Sequence, residues 1–164
     1  MAIWQFRFSL VPTAGILKTY GGLVDALPEY AQHDPNATVK EVSEFNNYWE
    51  GVDFSSPFMK SLESILPPRK SWSDDAKMFG SEDGNKIEVW NDDIVCSIDV
   101  RNFDIPFISS ILEVARGMQC KVALKDGGRL IDPNLSDLLV EINNSRSMQF
   151  VQNPVDFLKN LGGA

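Results

Sequence analysis

Residues 86–101 read KIEVWNDDIVCSIDVR, and the fold follows from how this stretch alternates. Ile87 and Val89 alternate with polar neighbours, Asn91-Asp92-Asp93 supply turn chemistry, and Ile94, Cys96, Ile98 and Val100 share one face. Successive side chains of a strand point to opposite faces, so the two runs predict a hairpin with one apolar side. Val95, Ser97, Asp99 and Arg101 point the other way.

Upstream, Trp4, Phe6, Phe8 and Leu10 alternate with Gln5, Arg7 and Ser9, which predicts a first strand ended by Pro12. Ser56-Pro57 pairs an N-cap with a proline at the first helical position. Phe58, Met59, Leu62, Ile65 and Leu66 then recur at helical spacing until Pro67-Pro68. Downstream, Asp104 and Pro106 open a second helix that carries Phe107, Ile108, Ile111, Leu112 and Ala115 and closes at Gly117. Cys120, Val122 and Leu124 alternate as a further strand, and Asp126-Gly127-Gly128 turn the chain into a short strand at Leu130-Ile131. Asp132-Pro133 leads a helix bearing Leu135, Leu138, Leu139 and Ile142. Asn153-Pro154 leads another, with Val155, Phe157, Leu158 and Leu161.

Strand, helix, strand, strand, helix, strand is the split βαβ, ferredoxin-like order. The expected class is therefore α+β: a ferredoxin-like antiparallel sheet covered on one face by helices, with an irregular insert after the first strand and C-terminal helices. Another α+β meander is the competitor. Right-handed crossovers place the first strand beside the 94–101 strand at the sheet centre. The helices then cover the face of Phe6, Phe8, Cys96 and Ile98. Between residues 12 and 56, Gly15, Gly21-Gly22, Pro28 and Pro35 break any long element. There, Asp34-Pro35 caps a short helix with Val39, Val42 and Phe45 on one face, or the same residues form a strand. A chain of 164 residues predicts one domain, 1–164.

The composition, 43% hydrophobic and 23% charged, is that of a globular protein with a core and excludes intrinsic disorder. No stretch approaches the ~18 consecutive apolar residues of a membrane span, so no membrane partner is expected. Fifteen Lys and Arg against 23 Asp and Glu leave a net charge of −8. Binding to phosphate backbones needs the opposite balance, so nucleic acid is excluded as a partner at this stage. An acidic surface serves solubility or a basic protein partner. Met1-Ala2-Ile3-Trp4 leads straight into strand-like sequence without a basic start or apolar export segment, and the expected location is cytoplasmic. Cys96 and Cys120 fall on the apolar faces of strands and read as buried free thiols, a disulfide being the lesser reading.

Catalytic equipment is sparse. The one histidine, His33, lies beside Asp34-Pro35 and reads as exposed or capping. A thiol on a core face is inert. No zinc-ligand spacing occurs, and Gly80, Gly84 and Gly127-Gly128 follow no phosphate-loop pattern. Asp74-Asp75, Glu82-Asp83 and Asp92-Asp93 read as solvated turns. The expectation is no catalytic residue, no metal and no cofactor.

Two surfaces remain as candidates. On the open sheet face, Gln5, Arg7, Ser9, Ser97, Asp99 and Arg101 offer no aromatic platform for RNA bases. Arg7 is expected to pair with Asp99 across adjacent strands, and Arg7, Asp99 and Arg101 are the candidate small-molecule site. In the insert, Asp25, Glu29, Asp34, Glu41, Glu44, Glu50 and Asp53 face only Lys18 and Lys40. The insert also holds all three tyrosines and Trp49. Aromatic anchors ringed by carboxylates suit a basic partner. The candidate partner-binding residues are Tyr20, Tyr30, Glu41, Glu44, Tyr48, Trp49, Glu50 and Asp53. The competing reading has the same aromatics packing the insert onto the body.

The run Ser71-Trp72, Phe79-Gly80, Asp83-Gly84, then Ile98-Asp99-Val100-Arg101, then residues 145–151 with Asn153-Pro154 and Phe157-Leu158, resembles small bacterial α+β proteins of the polymorphic-toxin immunity type. The resemblance rests on a turn, a strand and a cap, and it brings no catalytic residues. It implies a cytosolic, non-enzymatic binding protein, and the acidic charge balance suits one that neutralises a basic toxin. A small-molecule-binding or enzymatic domain using the sheet face is the alternative, and a homodimer through the sheet is a third expectation.

Overall fold

The structure is a computed structural model and describes residues 2–31 and 46–162. In chain order the elements are β1 (Gln5–Pro12), α1 (Thr13–Tyr20), α2 (Pro28–Ala31), α3 (Pro57–Ser64), β2 (Pro68–Arg69), β3 (Ala76–Gly80) and β4 (Lys86–Trp90). There follow β5 (Ile94–Asp99), α4 (Ile105–Gly117), β6 (Cys120–Leu124), β7 (Leu130–Ile131), α5 (Leu135–Asn143), α6 (Arg146–Gln152) and α7 (Pro154–Gly162). The fold is α+β, built on one seven-stranded antiparallel sheet in the order β2-β3-β4-β5-β1-β6-β7. The expected hairpin is β4–β5, closed where Trp90 N–H donates to Asp93 O at 2.8 Å. As expected, β1 lies at the sheet centre beside β5, with Phe8 opposite Cys96 and Arg7 opposite Ser97.

Local chemistry starts the helices where the sequence puts it. Ser56 accepts from Met59 N–H at 3.3 Å, and Asp104 accepts from Phe107 N–H at 2.9 Å, each followed by a proline in the first turn. The cap of α5 is Asn134, two residues beyond the Asp132 start expected, and it accepts from Ser136 N–H at 2.9 Å. On the first sheet face Phe6, Phe8, Leu10, Ile87, Ile94, Cys96, Ile98 and Val122 form the main core. Met59 and Leu62 of α3, Phe107, Ile108 and Ile111 of α4, and Leu138 and Ile142 of α5 close over it. Each fully buried side chain of this kind contributes about 1.5–3 kcal/mol. Cys96 and Cys120 are buried and free, as read from the strand alternation.

Three expectations are corrected. Residues 13–20 are helical although Gly15 and Gly21 read as breakers. Gly15 sits inside α1 because a Cβ there would lie 2.1 Å from Tyr48 O, whereas Gly21, at φ 72°, ends the helix with its N–H on Leu17 O at 2.8 Å. β2, β3 and α6 have no counterpart in the expected element order. Finally, the second sheet face is not open. Val11, Ile16, Leu27, Tyr48 and Ala123 form a smaller core on it, and Gln5, Ser9, Ser97 and Asp99 are buried. The covering comes from α1 and the segments after it, which fold back over β1 and β6. Gln5 Nε2 also donates to Glu82 O at 2.9 Å and Gly84 O at 2.7 Å, fastening the β3–β4 loop over the end of β1. The helix expected around Val39, Val42 and Phe45 lies outside the described residues. Among the described residues no helix is long and apolar enough to cross a membrane.

Candidate functional site

Strand alternation puts Arg7 of β1, Ser97 of β5, and Lys86, Glu88 and Trp90 of β4 on the second face. Ser97 stands opposite both Arg7 and Lys86, and its small side chain leaves room over β5 for charges to meet. Arg7 Nη2 reaches Glu88 Oε2 at 3.6 Å, and Lys86 Nζ reaches the same oxygen at 3.6 Å. Lys86 continues to Glu82 at 3.8 Å, and Glu82 pairs with Arg69. Glu88 and Lys86 are both buried, and a buried charge is tolerated only when paired. The Arg69 hydrogen bond, followed by the charge of Lys86, holds the Glu82 carboxyl below its usual value.

Beyond this ladder a groove of about 1030 Å³ opens between the second face, α2 and the α6–α7 arm. Arg7, Tyr30, Trp90, Asp93, Lys125 and Arg146 are among the residues that line it. Lys125 Nζ lies 2.9 Å from Asp93 Oδ2 and 4.2 Å from the centroid of the Tyr30 ring. Burial, then the Asp93 charge, raises the Tyr30 phenol above its ordinary value. The wall at α6 is set by Ser147, whose hydroxyl donates to Gln5 O at 2.8 Å where β1 runs past the end of β6. Fixed charges of both signs beside aromatic rings equip such a groove for binding.

The residues expected at a partner surface divide. Tyr20 and Tyr48 come together, their hydroxyls 3.0 Å apart, and both donate to Glu29, Tyr20 at 3.4 Å. Tyr48 is buried, and burial followed by the Glu29 hydrogen bond raises its phenol well above the usual tyrosine value. Trp49 is buried too, its Nε1 donating to Leu10 O at 3.1 Å and its ring 5.6 Å from Phe54. Most of this aromatic area is therefore inside the fold. Glu50 is exposed and pairs with Lys18 at 2.7 Å, and that hydrogen bond lowers its carboxyl. Asp53 accepts from Ser55 N–H at 2.8 Å and from the Ser55 hydroxyl at 2.6 Å, which lowers its carboxyl. Tyr30 lies in the groove, while Glu41, Glu44 and His33 fall outside the described residues.

The expected Arg7–Asp99 pair does not form. Register puts Asp99 opposite Gln5, so Arg7 turns to Glu88 and Asp99 takes Arg101, Oδ2 to Nη2 at 2.8 Å. That hydrogen bond lowers the Asp99 carboxyl, and the Arg101 guanidinium lies 4.2 Å from the centroid of the Trp4 ring. Lys86, Glu88 and Trp90 were missed as site residues although they alternate with Ile87 and Val89. Lys125 and Asp93 carried no signal, each lying in a turn.

Burial pushes the Cys96 thiol upward and the Cys120 thiol up to about 12, so neither is a thiolate near neutrality. No three His, Cys, Asp or Glu side chains among the described residues converge as metal ligands. No protein-family model matches the chain, and no curated protein or solved structure matches it either.

Proposed function

We propose that this chain is a non-enzymatic binding protein for a basic protein, cytoplasmic, with an immunity protein that neutralises a basic toxin as its specific form. We infer also that β1, β4, β5 and β6 with α3 and α4 keep a ferredoxin-like arrangement, to which β2, β3, β7 and the C-terminal helices are additions. The observation that carries the functional reading is where the charges are spent. Arg7, Lys18, Arg69, Lys77, Lys86, Arg101, Lys121, Lys125 and Arg129 all sit in ion pairs within the chain. Asp25, Asp74, Asp75, Asp92, Asp126 and Asp137 stay exposed, and no ion pair among the described residues engages them. Lys60, Lys70, Arg116, Arg146 and Lys159 are exposed cations outside these pairs, yet the acidic excess of the composition remains, and such a field steers cationic proteins and repels nucleic acid.

The test is co-expression with the product of the neighbouring gene. Relief of a growth arrest caused by that product, together with a complex that weakens steeply with salt, is the expected result. No relief and no complex would remove the reading. The groove favours the alternative, a small-molecule-binding or enzymatic domain, because it is concave and lined by Arg7, Tyr30, Trp90, Asp93 and Lys125. Native mass spectrometry showing a small molecule retained by the wild type and lost in Arg7→Ala would favour that alternative.

A further inference from the structure

Twice in this molecule a cation is held between an aromatic ring and a carboxylate. Lys125 lies between Tyr30 and Asp93, with its Nζ 4.2 Å from the ring centroid and 2.9 Å from the carboxylate. Arg101 lies between Trp4 and Asp99, at 4.2 Å and 2.8 Å. A third grouping of the same chemistry lacks a cation among the described residues. Trp72 is 73% exposed, and its ring centroid lies 5.3 Å from that of Trp90, the planes inclined at 58°. Ala76 stands opposite Trp90 in the β3–β4 ladder. Asp74 and Asp75, just before Ala76, and Asp92, just after Trp90, are therefore carried to the same end of the sheet. All three carboxylates are exposed. Trp90 and Asp92 also line the groove, so the grouping is continuous with it.

An indole pair with Trp72 exposed and Trp90 half-buried has an electron-rich face to offer, and carboxylates beside it choose a cation over any other occupant. A planar guanidinium can stack on the ring and bond a carboxylate at once, as Arg101 does on Trp4 and Asp99. A second copy of this chain is disfavoured, because it would bring another charge of −8 against these carboxylates. Stacked nucleobases would bring phosphates against the same charges. We propose that Trp72 and Trp90, with Asp74, Asp75 and Asp92, form the docking site for an arginine side chain of a partner protein. The proposal names the docking point of the basic partner inferred above and rests on that reading.

Titration with hexaarginine, followed by calorimetry and tryptophan emission, tests it. Trp72→Ala removes an exposed side chain, and its expected effect is binding about threefold to tenfold weaker. Replacing Asp74, Asp75 and Asp92 together by Asn is expected to weaken binding at least as much. Replacing Glu113 by Gln with Asp137 and Asp156 by Asn, equal in charge but on α4, α5 and α7, should change it less than twofold. Unchanged affinity in Trp72→Ala, or equal losses in the two triple variants, would overturn the site while leaving the basic-partner reading standing on the co-expression result. Failure of the wild type to bind hexaarginine would overturn the site as well. A concentration-dependent dimer abolished by Trp72→Ala would assign the indole pair to a second copy and overturn the proposal.

Discussion

At Gly15 two effects oppose each other. In an open helix interior, Gly→Ala gains up to about 1 kcal/mol of helix propensity. Here the new Cβ would meet Tyr48 O at 2.1 Å, a backbone atom that cannot rotate away. Overpacking of this kind costs about 1–3 kcal/mol, so Gly15→Ala is expected to lower the unfolding free energy in urea. A more stable variant would mean that Tyr48 does not lie against α1. Lys86 and Glu88 test the polar ladder, since each side chain is only 8% exposed. Lys86→Met leaves Glu88 to Arg7 alone and should cost about 3 kcal/mol, with much of the loss recovered when Glu88→Leu is added. Equal losses in the single and double variants would show that the charges are not coupled. That these residues share a face was legible in the 86–90 alternation. That the face is buried was not, because the segments that cover it lie far away in the chain.

Among the elements, the capped helices were the most legible, because an N-cap is settled within four residues. α7 shows the limit of the same signal. Asn153-Pro154 and the apolar spacing predict it correctly, yet none of its residues is buried and Val155, Leu158 and Leu161 are 59%, 56% and 49% exposed. Its hold on the body includes Phe157, whose ring packs edge-on against Phe150 at 5.7 Å. Removing residues 154–164 is therefore expected to take out one helix's worth of far-ultraviolet ellipticity and to lower Tm by no more than about 4 °C, the equivalent of about 1 kcal/mol. Cooperative loss of the whole fold would show that α7 belongs to the core. Periodicity reports that a helix has an apolar side, and only the packing reports whether that side finds a partner.

For the whole molecule, the shifted groups set both ends of a pH plateau. The Asp99 and Glu82 carboxyls lie below their ordinary values in the folded state. Their contribution is therefore complete above about pH 4 and disappears as acid protonates the folded carboxylates. The Tyr48 phenol lies above its ordinary value, so its contribution is complete below about pH 10 and declines as the pH rises past that point. Urea unfolding across the pH range is expected to show stability falling at both ends. Asp99→Asn should flatten the acid limb and Tyr48→Phe the alkaline limb. A Tyr48→Phe variant with an unchanged alkaline limb would remove the Tyr48–Glu29 hydrogen bond from this account.

By itself the sequence determined what is decided locally: the β4–β5 hairpin, the alternating core of β1, β5 and β6, and the capped starts of α3 and α4. Each is written within about ten residues, where side-chain period and turn chemistry act on the backbone directly. Tertiary structure alone decided that Arg7 meets Glu88 and not Asp99, that a second core closes over the far sheet face, and that Trp72 comes to rest beside Trp90. Those outcomes depend on segments distant in the chain meeting through many weak contacts, and no short stretch of residues encodes such a sum.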